Sequence, residues 1–213
     1  MPPRAPCEGK AGRNFMLRFF KLIVSGKLGD PTLCMLHSLV EGLGMDVARV
    51  GLGERVGSLY PEDARVYMSE DSPGIKLSPL LGNTRNTLIV SNELRAVIEK
   101  HCTNEIEYLP FTLYDHRKRS FNSDYCIVNP IGTFDCVDFQ ASEVLWSDKT
   151  PTKPLTIKKH VLDRKKVERA PQLFRADKDP MTYVLRYELA KEISDRRFAN
   201  VYWKELPLND AGR

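Results

Sequence analysis

The sequence predicts an α+β fold with a mainly antiparallel, mixed sheet and a few helices packed on it. Three observations lead there. First, "TLIVSNELRAVIEKHCTNEIEYLP" (87–110) aligns without gaps to "TYVLRYELAKEISDRRFANVYWKE" (182–205). Each stretch reads as a lead-in, a helix and a strand, so the sequence suggests an internal helix–strand repeat. Second, the residues between them are strand–turn–strand in character: "YLPFTLYD", a charged turn at His116 to Arg119, "DYCIVNP", "TFDCVDF" and "LTIKKHVLD". Third, no low-complexity linker divides the chain after a Pro-, Gly- and Arg-rich start. Runs of strands mixed with a few helices are the pattern of an α+β domain.

From the N-terminus, residues 1–14 read as a flexible tail and 15–210 as a single domain. Phe19 to Val24 alternates apolar residues around Lys21 and predicts a strand. "FMLRFFKLIV" is apolar but is broken by Arg18 and Lys21, and it is too short to span a membrane. Residues 31–44 place Leu33, Leu36, Leu39 and Val40 on one helical face before Gly42 and Gly44, which predicts a helix. "DARVYMSE" predicts a strand, "DSPG" a turn, and Leu77 to Leu81 a short apolar segment. In the first repeat Ser91 or Asn92 caps a helix whose apolar face is Leu94, Val97, Ile98 and Cys102. In the second, Leu185, Leu189 and Ile193 recur every four residues.

Candidate chemistry is sparse. The five cysteines, Cys7, Cys34, Cys102, Cys126 and Cys136, form no CxxC pair and no disulfide framework, which points to reduced thiols in the cytoplasm. The stretch "DYCIVNPIGTFDCVDFQASE" (124–143) gathers cysteines and acids, but it lacks the ligand set of a zinc site and the oxygen spacing of a calcium loop. Its spacing predicts a β-hairpin turning at Asn129 to Thr133. His101-Cys102 and His37-Ser38 are sequence neighbours and so point apart, unlike a nucleophile and its base. "GLGERVG" (51–57) is followed closely by Pro61 rather than by a helix, so it does not read as a dinucleotide turn. No catalytic residue, metal ligand or cofactor site is expected.

Charge is more informative. Glu41 to Pro73 holds seven acids against three arginines, and Ser147 to Pro180 holds ten Lys and Arg against five acids. The overall charge of +4 is modest and the basic segment lacks interleaved aromatics, so nucleic acid is not the expected partner. Opposed patches suit fast docking onto another protein. Within the acidic segment Glu62, Asp63, Glu70 and Asp71 are the candidate contacts.

From about residue 60 the succession "LIVSNELRAVIEK", "EYLPFTLYD", "CIVNPIGTFDCVDFQASEVLW", "IKKHVLD", "QLFRADKD" and "VLRYELAKEI" resembles the immunity proteins of bacterial polymorphic toxin systems, family eleven in that classification and formerly a domain of unknown function. The resemblance covers roughly residues 60–205, with the strand Phe19 to Val24 belonging to it. Its signature positions are Asn129, Asp135, Asp138, Ser142, Glu143, Phe174 and Arg175, expected to be structural. At the second helix Arg186-Tyr187 replaces the Ser91-Asn92 type of start, a departure that weakens the cap. The resemblance implies a cytoplasmic, non-enzymatic protein of kin discrimination that binds and neutralises a co-encoded toxin, plausibly a nuclease, in the producing cell. The residues leave open an inhibitor or chaperone-like partner of another co-encoded secreted enzyme, such as a protease.

Overall fold

A computed structural model describes residues 17–26, 30–37 and 40–210, and the tail expected over 1–14 lies outside them. The chain runs through β1 (Phe19–Ile23), β2 (Met35–Leu36), α1 (Val47–Leu52), β3 (Arg65–Tyr67) and β4 (Gly82–Asn83). Next come β5 (Ile89–Ser91), α2 (Asn92–His101), β6 (Ile106–Tyr114), β7 (Ser120–Pro130), β8 (Glu143–Trp146) and β9 (Pro154–Lys159). It finishes with β10 (Leu162–Asp163), α3 (Arg164–Val167), β11 (Leu173–Ala176), β12 (Asp179–Arg186), α4 (Tyr187–Asp195), β13 (Tyr202–Leu206) and β14 (Leu208–Asn209). Two four-stranded sheets dominate, ordered β3-β6-β7-β5 and β11-β12-β1-β13. All their pairings are antiparallel except β3 with β6, so the fold is α+β as the sequence predicts.

Side chains of period two divide each sheet between two cores. On β7, Cys126 and Val128 face the central core while Tyr125 and Ile127 face a second one. On β1, Phe20 and Leu22 enter the central core and Phe19 enters a third, with Phe174, Val184 and Leu206. Helices α2 and α4 bury Leu94, Val97, Ile98, Leu189, Ala190 and Ile193 in the central core, between contributions from both sheets. That core is the common ground of the structure.

The two segments alike in sequence take the same elements. Strand β5, helix α2 and strand β6 in one correspond to β12, α4 and β13 in the other. Their starts differ chemically, as expected. The Ser91 hydroxyl accepts the Leu94 amide at 3.4 Å, a conventional N-cap. Arg186 makes no side-chain cap, and the Leu189 amide is taken instead by Gln172 Oε1 at 3.3 Å. The cap is supplied from another part of the chain.

Two expectations are corrected. Residues 31–44 do not form a helix; among those described, Met35 and Leu36 pair in parallel with Gly82 and Asn83, and Ser38 and Leu39 lie outside the description. Asp30 Oδ1 accepts the Thr32 amide, while the Cys34 amide donates to the Lys76 carbonyl and the Lys76 amide to the Thr32 carbonyl, both at 2.9 Å. Tertiary partners for the backbone thus override a helical apolar pattern. The hairpin expected at Asn129 to Thr133 is also absent. β7 pairs with β5 and β6, and the chain beyond Pro130 crosses to the other sheet, where Phe134 bridges Ala176 on β11, and then to β10, where Val137 bridges Leu162. Pro130 has no N–H to continue a ladder, and Gly132 turns the chain at φ 73°.

Where α2 meets α4, Glu192 accepts Lys100 Nζ at 2.9 Å and Arg196 Nη2 at 2.8 Å, and it also contacts His101 Nε2. Chiefly through His101, these partners hold the Glu192 carboxyl down to about 2. A depressed carboxylate stabilises the fold above its unfolded pKa, and that contribution is lost as pH falls through its folded pKa. Glu192→Gln should therefore flatten the acid-induced fall of the urea midpoint between about 4.5 and about 2, measured by circular dichroism.

Candidate functional site

Three of the signature positions, Asn129, Phe174 and Arg175, meet at a buried cation. Arg175, on β11, has no exposed surface. Its guanidinium donates to the Pro130 carbonyl at 3.0 Å, Gly51 at 3.3 Å, Pro180 at 2.7 Å, Val50 at 2.7 Å and Asn129 Oδ1 at 3.1 Å. All five N–H groups are thereby used. The Tyr183 ring lies 4.4 Å from the guanidinium carbon. Burial pulls the Arg175 pKa below its ordinary value, yet an arginine in this setting keeps its proton.

Asn129 relays the arrangement outward. Its Nδ2 donates to the Glu54 carbonyl at 2.9 Å and to Glu107 at 3.2 Å. Glu107 also accepts the amides of Val56 at 3.1 Å and Gly57 at 2.9 Å. The glycine-bearing stretch 51–57 therefore offers its amides to a protein carboxylate, not to a phosphate. Gly53 ends α1 with φ 73°, and a Cβ there would meet Arg175 Cδ at 2.8 Å and the Gly132 carbonyl at 3.0 Å. Beside Arg175, Phe174 packs against Phe19 and Phe134, with centroids 6.2 and 5.1 Å away.

The remaining signature residues lie along the chain that leaves β7. Asp138 Oδ1 accepts the amides of Gln140 and Ala141, and its other oxygen is bound by Asn209. Those bonds, with Asn209 foremost, hold its carboxyl below the usual range. Ser142 exchanges hydrogen bonds with the Val161 backbone, at 2.9 and 3.3 Å. Asp135 pairs with Lys166 at 2.8 Å, and Glu143 stands on the surface 3.6 Å from Lys158.

The acidic segment contributes a cleft of about 430 Å³ at the far end of β3 and β6. It is lined by His37, Glu41, Tyr67, Glu70, Asp71, Asp115, His116 and Lys118. The structure thus brings Glu70 and Asp71 together with Glu41 and Asp115, while Glu62 and Asp63 lie outside the cleft. Asp63 is engaged by Arg65 at 2.7 Å. Tyr67 donates its hydroxyl to Glu41 at 2.9 Å, and that bond raises the phenol pKa. Asp115 accepts the Arg117 and Arg119 amides and the Arg119 guanidinium, the Arg119 amide foremost, which keeps its carboxyl below the ordinary range. His116 Nε2 faces the Ser72 carbonyl at 3.1 Å, so that nitrogen carries the proton, and its buried Nδ1 has no protein partner. In sequence His116 to Arg119 reads only as a charged turn; Asp115, His116 and Lys118 meet Glu70 and Asp71 through the parallel pairing of β3 with β6.

The acids of the cleft outnumber its one lysine, so it carries negative charge. Among the described residues no group of three His, Cys, Asp or Glu is placed to hold a metal ion. Burial pushes the thiols of Cys34, Cys102 and Cys136 up to about 12 and that of Cys126 up to about 11. Such thiols are fully protonated at neutral pH. Among the described residues no helix is long and apolar enough to cross a membrane.

A family model described as an immunity protein family, Imm11, matches residues 43–206. No curated protein matches the chain.

Arg175→Ala should lower stability by about 3–5 kcal/mol in chemical denaturation, because it strands several buried acceptors. Arg175→Lys should recover little of the loss, since an ammonium cannot reproduce the planar five-donor fork. The buried thiols Cys34, Cys126 and Cys136 should resist iodoacetamide at pH 7 in the folded protein and react on unfolding, as read by peptide mass spectrometry.

Proposed function

Since the chain belongs to the Imm11 immunity protein family, we propose that it binds a cognate toxin encoded beside it and blocks that toxin in the cytoplasm of the producing cell. The family match carries this reading. The acidic cleft supports its finer form, in which the toxin is a nuclease with a basic active-site surface. Glu70 and Asp71 on the rim, with Glu62 and Asp63 nearby in sequence, are the first charges such a surface meets. An enzyme that grips nucleic acid through Lys and Arg presents the complementary field. Complementary charge raises the encounter rate and rejects wrong partners. Protection then requires no chemistry from this chain, only occupation of the toxin surface that its substrate would use.

The test is a charge-reversal series against the purified product of the adjacent gene. Glu70→Lys with Asp71→Lys should slow association by about tenfold or more at low salt and weaken rescue of growth. Glu62→Lys with Asp63→Lys should act less, because those residues stand outside the cleft. Association rates and growth protection that stay unchanged across both pairs would sink this interface.

A further inference from the structure

The likeness of the two halves extends to the register of every strand pairing around β1 and β7. Cys126 on β7 stands between Val90 on β5 and Pro110 on β6. Phe20 on β1 stands between Leu185 on β12 and Glu205 on β13. Val90 and Leu185 are related by the offset that aligns the two sequence segments, and so are Pro110 and Glu205. One residue earlier, Tyr125 faces Ser91 and Phe111 as Phe19 faces Arg186 and Leu206. One residue later, Ile127 faces Ile89 and Leu109 as Lys21 faces Val184 and Lys204.

The correspondence continues outward on both sides. Val90 bridges Leu80, and its counterpart Leu185 pairs with Leu173, both antiparallel. On the other edge Leu113 pairs in parallel with Val66, and its counterpart Leu208 pairs in parallel with Leu162. Side chains repeat the relation across the central core. Asn104 Nδ2 donates to the Leu173 carbonyl, and Asn200 Nδ2, one residue beyond the position that corresponds to Asn104, donates to the Leu80 carbonyl, each at 3.1 Å. Two pairs of corresponding residues touch each other, Leu88 with Tyr183 and Asn86 with Met181, each separated by 95 residues. Corresponding positions meet in this way on a two-fold axis.

In chain order the same succession occurs twice. A strand flanked by two partners comes first (β1, then β7), followed by a short parallel-paired strand (β3, then β10) and an edge segment (around Leu80, then β11). The strand–helix–strand unit closes each copy. Yet β1 lies in the sheet of the second copy and β7 in the sheet of the first. We propose that the chain is a tandem duplication, residues 17–117 and 118–210, whose two copies have exchanged their first strands. Each copy supplies the central strand on which the other's lead-in and exit strands pair. Without it those strands would lose the hydrogen-bond partners along their shared edge. The halves are therefore obligate partners held in one chain by the turn at Asp115 to Arg119.

Insertion of a protease site between Arg117 and Lys118 of the full chain, with cleavage after folding, tests this. The uncut variant should melt in one concentration-independent step. The cut protein should elute at the size of the intact chain and still lose both sheets in one step. That step should now fall on the order of 5–10 °C over a hundredfold dilution, because two chains are being held together. Fragments that elute apart while still folded, or a cut protein whose melt ignores concentration, would overturn the proposal. As a second arm, a circular permutant beginning at Lys118, with Asp210 joined to Leu17 by a short flexible linker, carries the copies in reverse order and the same topology. It should give the native circular dichroism and a single melt, and failure to do so would count against equivalence of the copies.

Discussion

The Arg175 guanidinium is the interaction on which the arrangement of both sheets depends. It reaches carbonyls at the end of α1, at the end of β7 and in β12, and among the described residues no carboxylate forms an ion pair with it. A buried cation without an ionic partner is costly unless its donors are all satisfied and the local field is negative. Both conditions hold here. The carbonyls of Val50 and Gly51 belong to the C-terminal turn of α1, where unpaired carbonyls concentrate negative potential. Tyr183 offers its ring face, and Glu107 compensates charge at a distance through Asn129. The result is a joint that specifies one geometry, since only a planar fork reaches all these acceptors at once.

This joint and the acidic cleft stand at opposite ends of β6. Glu107, near its start, belongs to the Arg175 network, and Asp115, directly after its last residue, lines the cleft. A strand of that length spans roughly 25–30 Å. The separation divides the work: at one end buried polar groups fix the scaffold, and at the other ionised groups stay hydrated. The carboxylates of Glu70 and Asp71 therefore stand well away from the buried network.

Much of the fold is legible in the sequence because its signals are local. The cap at Ser91, the period of Leu94, Val97 and Ile98, and the alternation in Phe19 to Val24 each specify an element by themselves. The likeness of 87–110 to 182–205 is also visible, since a shared unit leaves a shared pattern. The errors arise where partners are distant. Residues 31–44 carry a helical period, but their backbone bonds go to segments around Lys76 and Gly82. Asn129-Pro130 reads as a turn, but Arg175, which binds both residues, lies far along the chain. The acidity of the cleft could be read as a trend along residues 41–73. Its membership could not, because Asp115, His116 and Lys118 arrive through the pairing of β3 with β6.

The position of β1 sets what the family match leaves out against what the fold requires. The match spans residues 43–206, and β1 lies before it. Even so, β12 and β13 do not pair with each other; each pairs with β1. Phe20 and Leu22 enter the core shared by both helices, and Phe19 closes the third core against Phe174. A chain lacking β1 would open the ladder between β12 and β13 and remove apolar side chains from two cores. Each large aromatic lost from such a core costs about 3–5 kcal/mol, a large share of the stability of a domain this size. The second sheet thus depends on residues before the matched range, as the first depends on β7. Each sheet thus takes its central strand from outside its own strand–helix–strand unit, and Arg175 bridges the end of β7 to β12.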